Sequence, residues 1–188
     1  SLRGRVTRKP VSYTNRFGIR LAGDLYLPAD FDGSRTLPSL VIGAPYGGVK
    51  EQGPGIYANE LAQRGFAVLT FDPSYNGDSA GEPRRLSSPE MFVEDFHAGV
   101  DFLGTIKGLD RKRIGALGIC GSGAFALTAA AVDPRIHSVA TVSMYDISRM
   151  HAEGFAGSPD ADSRRAMLNA IAQQRWDDFE SGRPQLTD

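Results

Sequence analysis

The residue best equipped for chemistry is Cys120, the only cysteine among 188 residues. It lies within RIGALGICGSGAFALTAAAV (113–132), which reads as a buried strand from Ile114 to Ile119 that stops abruptly and becomes a helix from about Ser122. Gly118 stands two places before the cysteine and Gly121 directly after it. A side chain on so tight a strand-to-helix turn sits in strained backbone, and its neighbours must be small enough for the helix to start without collision. Such a turn lifts the sulfur above the carboxyl edge of a parallel sheet and aims it along the first turn of the helix, whose dipole favours the thiolate. The Gly121 N–H then points at an oxyanion formed on an attacked carbonyl. That is the equipment of nucleophilic acyl transfer.

Other readings use the same residues. Gly118-x-Cys120-x-x-Gly123 after a strand overlays a dinucleotide-binding G-x-G-x-x-G, with Asp146 at the end of the next expected strand in the place of a ribose-binding acid. Against it, the second glycine of that fingerprint lets backbone approach pyrophosphate, and here it is a cysteine. A buried structural cysteine in an ordinary turn is the plainest reading, since free Cys is among the most buried residue types. Ser122 is a rival nucleophile, but it stands past the strained residue in the first helical turn, where serine is ordinarily a local donor or cap.

The elements that must position Cys120 follow from periodicity. Leu40 to Ile42 is a short apolar run, as in a strand covered on both faces. It leads through a glycine-rich loop to a helix over 56–64, with Ile56, Tyr57, Glu60, Leu61 and Arg64 at helical spacing and a stop at Gly65. A strand over 66–71 follows, then a helix opened by Ser88-Pro89 with Phe92, Val93, Phe96, Val100 and Leu103 facing inward. His97 beside that stripe is expected to be structural and hydrogen-bonded. Arg111-Lys112-Arg113 reads as a solvated loop before the elbow strand, and Asp133-Pro134 ends the helix after it. Ser138 to Ser143 is a sixth strand. This alternation implies an α/β architecture with a parallel sheet and right-handed crossovers. Ahead of it, Val6–Ser12 and Ile19–Leu27 flank the turn Asn15–Gly18 as an antiparallel hairpin. Behind it, 147–162 lacks periodicity and is broken by Gly154, Gly157 and Pro159, whereas 163–180 reads as a helix with Met167, Leu168, Ile171, Trp176 and Phe179 on an approximate apolar face.

At GICGS (118–122) the chain resembles the nucleophile elbow of the α/β-hydrolase superfamily, G-x-Ser-x-G, with cysteine in place of serine and serine in place of the last glycine, as in the dienelactone hydrolase-like branch. GAPYGGVKEQ (43–52), FDPSYNGDSAGEPR (71–84), which is similar to an FDxxYxGxSxGxPR segment of bacterial relatives, and Arg175-Trp176-Asp177 extend the resemblance along nearly the whole chain. It implies one α/β-hydrolase domain over 1–188: a mostly parallel sheet with helices on both faces, an N-terminal antiparallel hairpin, and a sheet ending at strand 6 plus a cap-like helix, with 147–188 as the cap region. It also implies that Ala44-Pro45 occupies the place of the usual His-Gly, so that Tyr46 supplies the second oxyanion N–H, and that Glu51 approaches the site.

The activity so implied is hydrolysis of carboxylic esters, lactones or thioesters, with Cys120 as nucleophile, Gly121 and Tyr46 as oxyanion donors, and no metal or organic cofactor. In this fold the triad acid follows the seventh strand and the histidine the eighth, and neither strand is present. His97 precedes the elbow and His137 lies at the far end of the sixth strand; only His151 is on the correct edge, and its use requires a rearranged triad. The expectation is therefore the N-terminal part of a longer hydrolase, with the strand 6 edge covered by the absent C-terminal segment or by a second copy. An incomplete, non-catalytic domain acting in binding or assembly and a Cys-dependent acyltransferase are the alternatives.

Composition bounds the partners. Lys plus Arg number 21 against 22 Asp plus Glu, interspersed, which leaves no electrostatic footprint for nucleic acid or an anionic membrane. A lone cysteine excludes an internal disulfide. No apolar run reaches the roughly 18 residues that span a bilayer, and no signal-peptide core opens the chain. The expected partner is a small-molecule acyl substrate and the expected location cytoplasmic.

Overall fold

The computed structural model describes residues 4–154 and 160–185. Backbone packing divides the chain into two compact units, Ser1–Tyr145 and Asp146–Asp188.

The first unit is built on a six-stranded sheet ordered β1-β2-β4-β3-β5-β6. Its strands are β1 (Val6–Thr14), β2 (Arg20–Pro28), β3 (Leu37–Gly43), β4 (Ala67–Phe71), β5 (Leu109–Ile119) and β6 (Ile136–Val142). β1 pairs antiparallel with β2, and β2 antiparallel with β4; β4, β3, β5 and β6 run parallel. The hairpin turns where expected, with Gly18 at φ +79 and its N–H donating to Asn15 O at 3.0 Å. Three helices connect the parallel strands: α1 (Gly53–Ala62), α2 (Pro89–Thr105) and α3 (Ser122–Val132).

Strand alternation sends neighbouring side chains to opposite faces, which sorts the core into two layers. Ile42, Val68, Leu117 and Ile119 pack with Tyr26 against Ala58 and Ala62 of α1. Val41 and Leu69 face the other way, toward α2, where a Cβ on Gly99 would lie 2.9 Å from Val41 and 3.4 Å from Leu69. Helices therefore cover both faces, as the sequence implied.

Several details depart from expectation. α1 begins three residues early, with Pro54 in its first turn, and it buries Pro54, Ala58 and Ala62; Ile56 is 69% exposed. Leu61 packs partly buried against the same cluster, whereas Ile56 and Tyr57 turn outward. Arg111-Lys112-Arg113 lies inside β5, not in a preceding loop, although all three side chains are exposed as expected. β5 reaches back to pair Leu109 with Leu37, and between that pair and the next, Ser39 with Ile114, it carries three more residues than β3 does.

The second unit contains α4 (Ile147–Glu153) and α5 (Ala161–Ser181). α4 corrects the reading of 147–162 as wholly irregular: Asp146 caps it by accepting from Arg149 N–H, and Arg149 Nε reaches Glu153 at 2.7 Å. Gly154 ends it at φ +72, whereas Gly157 and Pro159 lie outside the described residues. α5 is capped by Asp160 and closed by left-handed Gly182, and none of its side chains is buried. Among the described residues no helix is long and apolar enough to cross a membrane.

Candidate active site

Cys120 sits at the junction of β5 and α3 with φ +56, in the left-handed region that non-glycine residues rarely occupy. Its N–H donates to Val142 O at 2.8 Å, and its carbonyl accepts from Gly123 N–H at 3.1 Å, so the strained residue is held by β6 on one side and by α3 on the other. The small neighbours are required. A Cβ on Gly118 would lie 2.3 Å from Ser122 O and 2.5 Å from Gly123 N, and a Cβ on Gly123 would lie 2.6 Å from Met144 Cγ. Cys120 is half-buried, packed on one side against the α1-facing cluster.

Ser122 is fully committed. Its buried hydroxyl accepts from Ile119 N–H at 2.9 Å and donates to Ile119 O at 3.0 Å, which locks the elbow and keeps the hydroxyl proton engaged inside the fold. Gly121 occupies the N-cap position of α3 in helical conformation, and among the described residues its N–H donates to no protein acceptor. The same holds for the N–H of Tyr46. The loop bearing Tyr46 leaves β3 at Gly43, which pairs with Gly118 two residues before the cysteine. The Tyr46 hydroxyl meets Ser87, its ring lies edge-on to Phe92 at 6.5 Å, and Phe92 lies edge-on to Phe125 of α3 at 5.4 Å. An aromatic row thus runs from the loop to the helix after the elbow.

Tyr145 had no assigned role in the sequence. β6 ends in register with β5, Val142 beside Ile119, and Ser143 bends the chain at φ +49. Burial, the hydrogen bond and charge of Cys120, and the charge of Tyr46 push the Tyr145 phenol above its ordinary range. The signal in the sequence was position alone: the carboxyl end of a parallel strand adjoining the elbow strand.

Glu51 is bound to Lys50 Nζ at 2.8 Å; burial works against ionisation there, but the Lys50 hydrogen bond prevails and its carboxyl is held below the usual range. His97 is structural as expected, with Nε2 3.4 Å from Ala129 O and Nδ1 3.6 Å from Glu94. His137 is exposed on β6. His151 belongs to α4, and its side chain lies outside the described residues. Asp146, the ribose-binding acid of the dinucleotide reading, spends its carboxylate on the α4 cap.

Comparison with known proteins bears on the family and the fold. A family model described as X-Pro dipeptidyl-peptidase (S15 family) matches residues 18–185. The uncharacterized protein PA2218 of Pseudomonas aeruginosa is 49% identical over 97% of this chain and 49% of its own length. The uncharacterized protein YcjY of Escherichia coli is 38% identical over 92% of this chain and 57% of its own. The thiohydrolase aneE of Aspergillus aculeatus is 35% identical over 72% of this chain and 41% of its own. This chain therefore spans about half the length of the curated relatives it matches. The crystal structure of PA2218 superposes on all of this chain and 58% of its own with a TM-score of 0.94. The α/β hydrolase GrgF of a Penicillium species superposes on 95% of this chain and 57% of its own at 24% identity and a TM-score of 0.79, which extends the likeness at the level of fold.

Proposed function

This chain belongs to the X-Pro dipeptidyl-peptidase (S15) family and has the α/β-hydrolase fold, and from that premise we propose that it carries the nucleophile of a dienelactone-hydrolase-like acyl hydrolase. The observation that carries this reading is Cys120 itself, half-buried at φ +56 on the elbow, with the uncommitted N–H of Gly121 next in the chain. The kinship to a protein named a thiohydrolase is consistent with thioesters among the substrates, beside carboxylic esters and lactones.

In this mechanism the Cys120 thiolate attacks the substrate carbonyl. A C–S bond forms, the carbonyl electron pair moves onto oxygen, and the Gly121 and Tyr46 N–H groups hold the oxyanion. Collapse restores the carbonyl and expels the alkoxide or thiolate, which takes up a proton. Water then attacks the acyl-thioester, releasing the acid and regenerating the thiol. A positioned acid-base supplies typically ~10²- to 10⁴-fold for such proton transfers. We assign that role to an acid and a histidine outside these 188 residues, a reading supported by the greater length of the relatives. Residues 147–188 are proposed as the cap region.

Burst kinetics with p-nitrophenyl acetate test the proposal. A burst of p-nitrophenol stoichiometric with protein, absent in Cys120→Ala, is expected. A burst that survives Cys120→Ala overturns the assignment. No burst in either protein favours a binding module, and turnover that depends on an added acyl acceptor favours a transferase.

A further inference from the structure

The loop that carries Tyr46 is held at both ends, and one of the holders is a buried lysine. After Gly43 the chain turns at Pro45–Gly48, where Gly48 N–H donates to Pro45 O at 2.7 Å and Gly47 takes φ +76. Two residues later Lys50, 5% exposed, attaches to Asp72 twice. Its N–H donates to Asp72 Oδ1 at 2.8 Å and its Nζ to Asp72 Oδ2 at 2.8 Å. The ammonium also meets Asp78 and Glu51, each at 2.8 Å. Burial alone would lower the affinity of Lys50 for its proton; the hydrogen bonds to Asp72, Asp78 and Glu51 override it and hold the ammonium above the usual lysine range.

Asp72 is itself immobilised. It follows β4 directly, its N–H donates to Ala22 O of β2 at 2.9 Å, and its Oδ2 also accepts from Asp78 N–H at 2.9 Å. The 72–78 loop closes on this carboxylate because position 77 is glycine: φ is +53 there, and a Cβ would lie 2.4 Å from Asp72 Oδ2. Desolvating an ion pair generally gains little stability over an apolar pair of the same shape. A backbone N–H and a side-chain ammonium gripping the two oxygens of one fixed carboxylate do something an apolar contact cannot, because they set the orientation of the loop as well as its place.

We propose that Lys50 is a positioning residue, whose two-point grip on Asp72 fixes the Pro45–Gly48 turn so that the Tyr46 N–H faces the oxyanion formed at Cys120. The proposal rests on the acyl-transfer reading of Cys120. Preorganised donors act on charge that develops only in the transition state, so loosening them slows acylation and leaves ester binding almost unchanged.

The test pairs amide hydrogen exchange with burst kinetics on p-nitrophenyl acetate, in Lys50→Met, Lys50→Arg and Gly77→Ala. Gly77→Ala keeps every charge while crowding Asp72, so it serves where Lys50→Met fails to fold. In Lys50→Met, exchange at the N–H groups of residues 48 and 50, both hydrogen-bonded in the parent, is expected to rise at least about tenfold while β5 and α2 keep their protection. The acylation rate constant is expected to fall by about 10- to 100-fold, with apparent ester affinity within about twofold of the parent. Lys50→Arg recovers part of the rate, and Gly77→Ala shows a smaller loss in both readouts. Unchanged exchange, or faster exchange with an unchanged acylation rate, overturns the positioning role while the Cys120-dependent burst stands. A parent protein with no Cys120-dependent burst overturns the acyl reading, and the positioning role with it.

Discussion

Two side chains two positions apart on the elbow differ in how they are held, Cys120 in strained backbone and Ser122 by two hydrogen bonds. Ser122 exchanges two hydrogen bonds with Ile119, so Ser122→Ala leaves a buried amide and a carbonyl without their partner and is expected to cost about 1–3 kcal/mol in urea denaturation. The Cys120-dependent burst is expected to remain. Gly118→Ala is a harsher change, since the new methyl meets backbone atoms of α3 that cannot turn aside. A loss of about 2–4 kcal/mol is expected in the same assay. Both roles were legible in the sequence, because a tight turn declares itself by the size of its residues. Tyr145 and Lys50 were not: their importance comes from strand register and from a partner 22 residues away, and nothing in local spacing reports either.

Among the elements, α2 does more than cover the sheet. Its Asp95 accepts from Ser74 N–H and hydroxyl, each at 2.7 Å, and from Asn15 Nδ2 at 3.0 Å, tying the hairpin turn and the segment after β4 to one helix. Burial, opposed by these hydrogen bonds and aided by the charge of Glu94, pushes the Asp95 carboxyl up to about 6. A folded-state value above the unfolded one means that the group's contribution is complete below about pH 4 and is lost as pH rises through 6, a change on the order of 2–3 kcal/mol. Denaturation at pH 5 and pH 7.5, which spans the upper half of that window, is expected to show about 1–1.5 kcal/mol of it in the parent protein and a much smaller difference in Asp95→Asn. An equal difference in both proteins contradicts it. Periodicity had located α2, its serine cap and most of its apolar stripe. It did not mark Glu94 and Asp95 as buried, because their partners come from distant turns. It also began α1 three residues late, at Ile56 instead of Gly53.

For the whole molecule, the order of strands and crossovers was readable because each apolar run of period two or none alternates with a helical one, and the handedness of connections leaves few arrangements. The ending of the sheet at its sixth strand was readable as well. Among the described residues β6 pairs on one side only, and His137 to Thr141 are exposed along it. An unprotected edge of this kind pairs with other chains. Concentration-dependent association of the 188-residue protein is expected in sedimentation velocity, and Val139→Lys, a charge at a position already 37% exposed, is expected to reduce it.

The strain at position 120 resides in the main chain and is paid by hydrogen bonds from β6 and α3, none of which touches the sulfur. The protein is therefore indifferent, in its folding, to which chalcogen the elbow presents. Cys120→Ser should unfold within about 0.5 kcal/mol of the parent, yet exchange sulfur, an intrinsically strong nucleophile, for an oxygen that needs a partner to remove its proton. The scaffold and the reactivity it displays can thus be varied one without the other.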